Sequence, residues 1–255
     1  LARKKNLTKE DIEDVSIYES LLHEKNGNNG NHFYTHNTKL KDINLKIKCL
    51  NKKQKDLRRA IEEKEIVITI GPAGTGKTYL SLLTALNIMK SNPEYSKLVL
   101  IKSLQTIKGE EVGYLPGTLW EKLEPYMYSY TGNLDKIFGF PSTTKSLINQ
   151  GIIEIFPITY IRGVTMDNCI ILIDEAQNID YHTFKTIITR IGKKCKIVFL
   201  GDTEQIDRKN KDESCLHKVV KIFHNQEFAD SITFTNEESV RNPIIPKLLK
   251  LLKND

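Results

Sequence analysis

A chain of 255 residues is long enough for one sizeable α/β domain with an appendage, and a domain of that size buries about 70% of the surface its unfolded chain exposes. Its 38 Lys/Arg against 32 Asp/Glu give a formal charge of +6, and the whole excess lies in the first 60 residues, where 14 basic side chains stand against 8 acidic ones. No apolar run approaches the roughly 20 residues of a bilayer span, and the opening Leu1-Ala-Arg-Lys-Lys5 is not followed by an apolar signal core, so neither a membrane protein nor an exported one is expected.

Residues 7–25 have the pattern of a helix, with Thr8 as its cap and acidic residues in the first turn. Asn26–Asn31 (NGNNGN) ends it, because Asn and Gly tolerate positive φ and oppose both helix and strand. A linker is placed there, and residues 1–45 are read as a basic N-terminal extension. Such an arm suits contact with phosphate backbones, or equally a solvated face that only aids solubility. His32 and His36 flank the turn-prone run with no thiolate or carboxylate nearby and are not taken as a metal pair.

Residues 46–255 read as a single domain. Short Ile/Val-rich runs at 66–70, 97–101, 152–156, 169–173, 196–200 and 231–234 predict strands buried on both faces, and helical patterns fall at 77–90, 182–191 and 216–223. This βαβ rhythm predicts a parallel sheet covered by helices, with ligands at the carboxyl ends of its strands. Cys49, Cys169, Cys195 and Cys215 are widely spaced without a CxxC pair; they read as reduced core thiols, which points to the cytoplasm.

The first strand runs into Gly71-Pro-Ala-Gly-Thr-Gly-Lys-Thr78, a complete GxxxxGK[ST] motif with a helix-forming run behind it. Gly71 and Gly76 permit the turn, and the loop Gly71, Pro72, Ala73, Gly74, Thr75 and Gly76 is expected to cradle nucleotide phosphates at the positive end of the following helix. Lys77 should reach the β- and γ-phosphates and the Thr78 hydroxyl should ligate Mg²⁺. A second signal, Ile170–Ile173 ending in Asp174-Glu175, has the Walker B pattern: Asp174 to hold Mg²⁺, Glu175 to polarise the attacking water as general base. Together they predict an α/β P-loop NTPase of RecA-like type, with a helical insert and a short N-terminal extension.

Further runs carry a more specific likeness. Asp174-Glu-Ala-Gln-Asn178, Thr189-Arg-Ile-Gly192 and Gly201-Asp-Thr-Glu-Gln-Ile-Asp207 are joined by Gly113-Tyr-Leu-Pro-Gly117, Glu121-Lys-Leu-Glu-Pro125, Tyr160-Ile-Arg-Gly-Val-Thr165 and Val240-Arg-Asn-Pro243. This ordered set resembles the PhoH family of ATPases over about residues 50–250, and that family is itself similar to the first motor domain of superfamily one helicases. The resemblance implies that Gln54 reads adenine, favouring ATP over GTP, that Gln205 senses the γ-phosphate or positions water, and that Asp202 supports that network. It also implies an association with single-stranded RNA or DNA. Two departures bear on the transfer. Where many members carry Arg-Pro, this chain reads Ile101-Lys-Ser-Leu104, and too few residues follow Asn242 to form the second motor domain from which helicases draw an arginine finger. An arginine acting in trans would need a homo-oligomer, with Arg162, Arg190 and Arg241 as candidates.

The insert, about residues 102–151, is too long for a plain α/β connection. It mixes Lys102, Lys108, Lys122, Lys136 and Lys145 with Tyr114, Trp120, Tyr126, Tyr128, Tyr130, Phe138 and Phe140. Those residues suit either a groove for single-stranded nucleic acid or the core of a small helical subdomain. The expected function is Mg²⁺-dependent ATP hydrolysis coupled to single-stranded nucleic acid. The rivals are a nucleotide-gated interaction module with slow or no turnover and, less well matched to Glu175 and Gln205, a small-molecule kinase.

Overall fold

The computed structural model describes residues 38–103, 119–161, 165–202 and 215–240. Six strands, β1 (Ile66–Ile70), β2 (Lys97–Lys102), β3 (Ile153–Pro157), β4 (Cys169–Asp174), β5 (Lys196–Gly201) and β6 (Ala229–Thr233), form one sheet in the order β3-β2-β4-β5-β1-β6. Every pairing is parallel. The helices are α1 (Lys52–Glu63), α2 (Lys77–Ser91), α3 (Leu119–Phe138), α4 (Pro141–Asn149), α5 (Tyr181–Ile188) and α6 (Leu216–Phe223).

The four central strands, β1, β2, β4 and β5, lack polar alternation because each faces an apolar layer on both sides, whereas the edge strands β3 and β6 keep polar residues such as Glu154, Asp230 and Ser231. Leu98 and Leu100 of β2, Ile170 and Leu172 of β4, and Val198 and Leu200 of β5 pack with α1 to α4 on one face. Their neighbours Val99, Ile101, Ile171, Ile173, Ile197 and Phe199 pack with α5 and α6 on the other. No helix among the described residues is long and apolar enough to cross a membrane.

Sequence patterning placed the strands to within about two residues, with one instructive shift. The last strand runs over Ala229–Thr233 rather than 231–234, since Ala229 pairs with Ile66 and Thr233 with Ile70. Phe234 continues past the strand and donates its N–H to the Ile70 carbonyl (2.8 Å), closing over the loop that follows β1. The chain joins the core before residue 46: Leu40 and Leu45 are buried, Ile43, Ile47 and Cys49 pack beside them, and Lys90 Nζ donates to the Ile43 carbonyl (2.6 Å). The proposed helix at 7–25, the Asn/Gly linker and the two histidines lie outside the described residues.

Helix α1 was not anticipated. Its charged sequence hides a narrow stripe of Leu57, Ala60 and Ile61, at spacings of three and one, which is buried; Asn51 caps the helix by accepting the Gln54 N–H (2.9 Å). In the insert, α3 buries Met127, Tyr130, Leu134 and Phe138 along one face. The Tyr130 hydroxyl is shared as a donor between the carbonyls of Ile101 (2.9 Å) and Leu172 (3.1 Å), which pins α3 over β2 and β4. The insert aromatics therefore divide: Tyr130 and Phe138 are core, whereas Tyr128 and Phe140 are 72% and 67% exposed.

Candidate functional site

In the sheet, β5 lies between β1 and β4, so the loop after β1, the acidic end of β4 and Gly201-Asp202 at the end of β5 open onto one edge. A cleft of ≈ 300 Å³ occupies that edge, with Ala73, Gly74, Gly76, Lys77 and Thr78 on one side and Asp174, Glu175, Gln177 and Asp202 on the other. Ser129 and Asn133 of α3 line it as well.

The loop is built by close approach. Gly71 leaves β1 with φ 153°, and a Cβ there would lie 2.6 Å from Phe234 Cβ, so only glycine passes. Its N–H donates to the Gly201 carbonyl (3.1 Å), carrying the β1–β5 ladder into the loop, and the Gly74 carbonyl accepts from Val240 N (2.8 Å). Gly76 begins α2 as a left-handed N-cap with φ 82°. The first amides of α2 have no intrahelical partner and face the cleft, a ready site for an anion. Lys77 is buried, and its ammonium donates to the carbonyls of Gly71 (2.7 Å) and Pro72 (2.8 Å) with Thr75 Oγ1 at 3.4 Å.

Gln54 sits behind this loop rather than along the cleft. Its Nε2 donates to the Thr75 carbonyl (3.0 Å) and its Oε1 accepts the Leu50 N–H (2.7 Å). One amide thus ties α1 to the phosphate loop, leaving one N–H and one lone pair for any other partner.

At the acidic wall, burial above all, and then the neighbouring Glu175 charge, raise the Asp174 carboxyl from its ordinary 3.8 to about 6; Lys102 and Lys77 oppose the rise. Glu175 follows in the left-handed region, φ 56° and ψ 36°, a conformation that costs a non-glycine residue roughly 1 kcal/mol or more. That turn breaks the strand and swings the side chain into the cleft. Gln177, fully buried, holds it: Nε2 donates to Glu175 Oε2 (2.7 Å), while Oε1 accepts the Asp202 N–H (3.0 Å).

Of the residues singled out from sequence, Ala73, Gly74, Gly76, Lys77, Thr78, Asp174, Glu175 and Asp202 share the cleft, and Gly71, Pro72 and Thr75 support the loop. Gln205, Arg162 and Arg241 lie outside the described residues, and Arg190, beyond α5, does not line the cleft. Sequence reasoning missed Ser129, Asn133 and Gln177. Only Gln177 had a local signal, its place in the run from Asp174 to Asn178. On the ATP hydrolysis expected from the sequence, Gln177→Ala should lower the turnover number about 10- to 100-fold while the ATP affinity changes less than about 3-fold. Steady-state kinetics beside equilibrium binding check this, and an unchanged turnover number would remove Gln177 from a positioning role.

A glycine loop between a buried strand and a helix, facing an acidic strand end across one intervening strand, defines a P-loop nucleoside-triphosphatase fold. The family model for PhoH-like proteins matches residues 46–253, and the chain belongs to that family. It is 32% identical over 237 residues to a PhoH-like protein of Bacillus subtilis, covering 93% of this chain and 70% of that one. To a PhoH-like protein of Mycobacterium tuberculosis strain H37Rv it is 34% identical over 205 residues, or 80% of this chain and 57% of the relative. Among solved structures, the large terminase of a thermophilic bacteriophage superposes with a TM-score of 0.48 at 11% identity, covering 80% of this chain and 50% of that one. The Hef helicase domain of Pyrococcus furiosus superposes with a TM-score of 0.42 at 14% identity, covering 74% and 38%.

Proposed function

We propose that this chain binds ATP with Mg²⁺, hydrolyses it, and couples the nucleotide state to single-stranded RNA or DNA. The observation that carries the reading is the meeting, in one cleft, of Lys77 and Thr78 at the start of α2 with Asp174 and Glu175 at the end of β4. The loop amides and Lys77 would hold the phosphates, and Glu175 would take a proton from water. Gln205 would report the γ-phosphate. Gln54, through its remaining N–H and lone pair, would meet adenine.

The donors suit Mg²⁺, a hard cation that takes one or two carboxylates or hydroxyls and completes its shell with phosphate and water. Thr78 and Asp174 would hold it, and when bound it would neutralise charge on the transferred phosphate. The high affinity of Asp174 for a proton is the expected property of a buried carboxylate awaiting a cation.

Support for a polyanionic partner comes from exposed basic residues, Lys46, Lys48, Lys52, Lys55 and Arg59, before and along α1, and from Tyr128, Lys136, Phe140 and Lys145 of the insert, all exposed. The free thiols of Cys169, Cys195 and Cys215 suit a reducing cytoplasm. A homo-oligomer would be the route to an arginine in trans.

The test is phosphate release from ATP by the purified protein, with and without single-stranded RNA and DNA over a range of salt. Turnover that Lys77→Ala abolishes and polynucleotide accelerates at low salt is the expected result. Tight ATP binding through Lys77 without turnover would instead favour the nucleotide-gated interaction module.

A further inference from the structure

The phosphate cleft has a third wall. Helix α3 belongs to the insert, yet Ser129 and Asn133, one turn apart, line the cleft opposite the phosphate loop. Asn133 Nδ2 donates to the Ser129 carbonyl (2.6 Å), and Tyr130, between them in sequence, fixes the helix to β2 and β4. The Ser129 hydroxyl accepts a hydrogen bond from Lys102 Nζ (3.0 Å).

Lys102 is the last residue of β2 and pairs in register with Asp174, the last residue of β4. A lysine at that point stands at the carboxyl edge of the sheet, beside the cleft.

Charge balance gives this placement a purpose. The described residues lining the cleft carry three carboxylates, Asp174, Glu175 and Asp202, against a single lysine, Lys77. A nucleoside triphosphate adds about four negative charges, of which a divalent cation cancels two. In the transition state charge is spread over the equatorial oxygens of the terminal phosphoryl and builds on the leaving oxygen, so a further cation near them favours both binding and reaction.

We propose that Lys102 is a second phosphate-binding lysine, contributed in cis: it exchanges Ser129 for an oxygen of the terminal phosphate when a nucleoside triphosphate binds, while Tyr130 keeps α3 over β2 and β4. This rests on the reading of the cleft as an ATP site. It assigns the charge that an arginine from another subunit would otherwise supply to a residue of the same chain. It also places α3, which carries exposed Tyr128, beside the nucleotide and next to the lysine that contacts it.

The test compares the binding of a non-hydrolysable ATP analogue and of ADP, each with Mg²⁺, by wild type, Lys102→Met, Lys102→Arg and Ser129→Ala, alongside single-turnover phosphate release and thermal unfolding. Lys102→Met should weaken the analogue about 10- to 100-fold, the loss of one charge-assisted hydrogen bond, and leave ADP affinity within about 2-fold. Lys102→Arg should recover most of the analogue affinity. Ser129→Ala, which removes only the resting partner, should bind the analogue at least as well as wild type. Equal losses for analogue and ADP, no loss for either, or a loss that Lys102→Arg does not restore would each overturn the proposal. Failure of the hydrolysis reading is separable: a wild type that releases no phosphate, yet needs Lys102 to prefer the analogue over ADP, sinks that reading and keeps this one.

Discussion

Glu175→Gln is expected to slow phosphate release about 10³-fold while ATP remains bound. The substitution keeps the size and hydrogen-bonding reach of the side chain but removes its capacity to accept a proton, and general-base catalysis contributes roughly 10²- to 10⁴-fold. Binding would persist because, in the proposed site, the phosphates rest on the loop and on Lys77, whose ammonium is fixed by the carbonyls of Gly71 and Pro72. The measurement is single-turnover hydrolysis together with equilibrium binding of ATP. A fall of less than about 5-fold would mean that water is activated elsewhere.

Asp174→Asn should have two opposite effects, both large. In the absence of metal the variant should be more stable than wild type, because a neutral isostere avoids the burial of a charge and its repulsion from Glu175. The raised carboxyl, about 6 folded against 3.8 ordinarily, corresponds to about 3 kcal/mol at most, present in full above the higher of these values. Its direction follows from proton uptake. A folded state that holds the proton more tightly than the unfolded chain loses stability as the pH climbs from about 4 through about 6. Metal-free wild type should therefore unfold at lower denaturant at pH 7.5 than at pH 5 relative to Asp174→Asn, whose own profile lacks this component. With Mg²⁺ and ATP the order reverses, since the asparagine supplies no charge to the cation and turnover should fall at least 10²-fold. Denaturant melts at the two pH values, with and without Mg²⁺ and ATP, read both effects; a wild type no less stable than the variant at pH 7.5 without metal would refute the first.

What could be read from the sequence was what the chain encodes contiguously. The loop from Gly71 to Thr78 and the pair Asp174-Glu175 each combine a buried strand with the residues that follow it, so their chemistry and placement were visible together. Helix α1 was obscured because Leu57, Ala60 and Ile61 are few among Lys, Arg and Glu, and because the caps that fix it are Asn51 and a buried Gln54 rather than apolar residues. Ser129 and Asn133 could not be recognised, since nothing in their own segment distinguishes the side of α3 that meets the cleft from the side that carries Tyr128. That distinction is made by Tyr130 reaching carbonyls on two different strands. Gln177 is similar: its neighbour Glu175 is local, but its second partner, Asp202, follows β5 and lies 25 residues further along the chain.

The position of β5 also sets a distance. With β5 inserted between β1 and β4, the loop that holds Lys77 and the strand end that holds Asp174 stand two inter-strand spacings apart, roughly 9.5 Å, and every step of that span is a ladder of backbone hydrogen bonds. The sheet acts as a ruler whose length no side-chain substitution alters. The spacing of the two walls is therefore carried by backbone alone, and what can still be tuned is the placing of side chains upon it, through α1 by way of Gln54 and Thr75 and through α3 by way of Ser129 and Asn133.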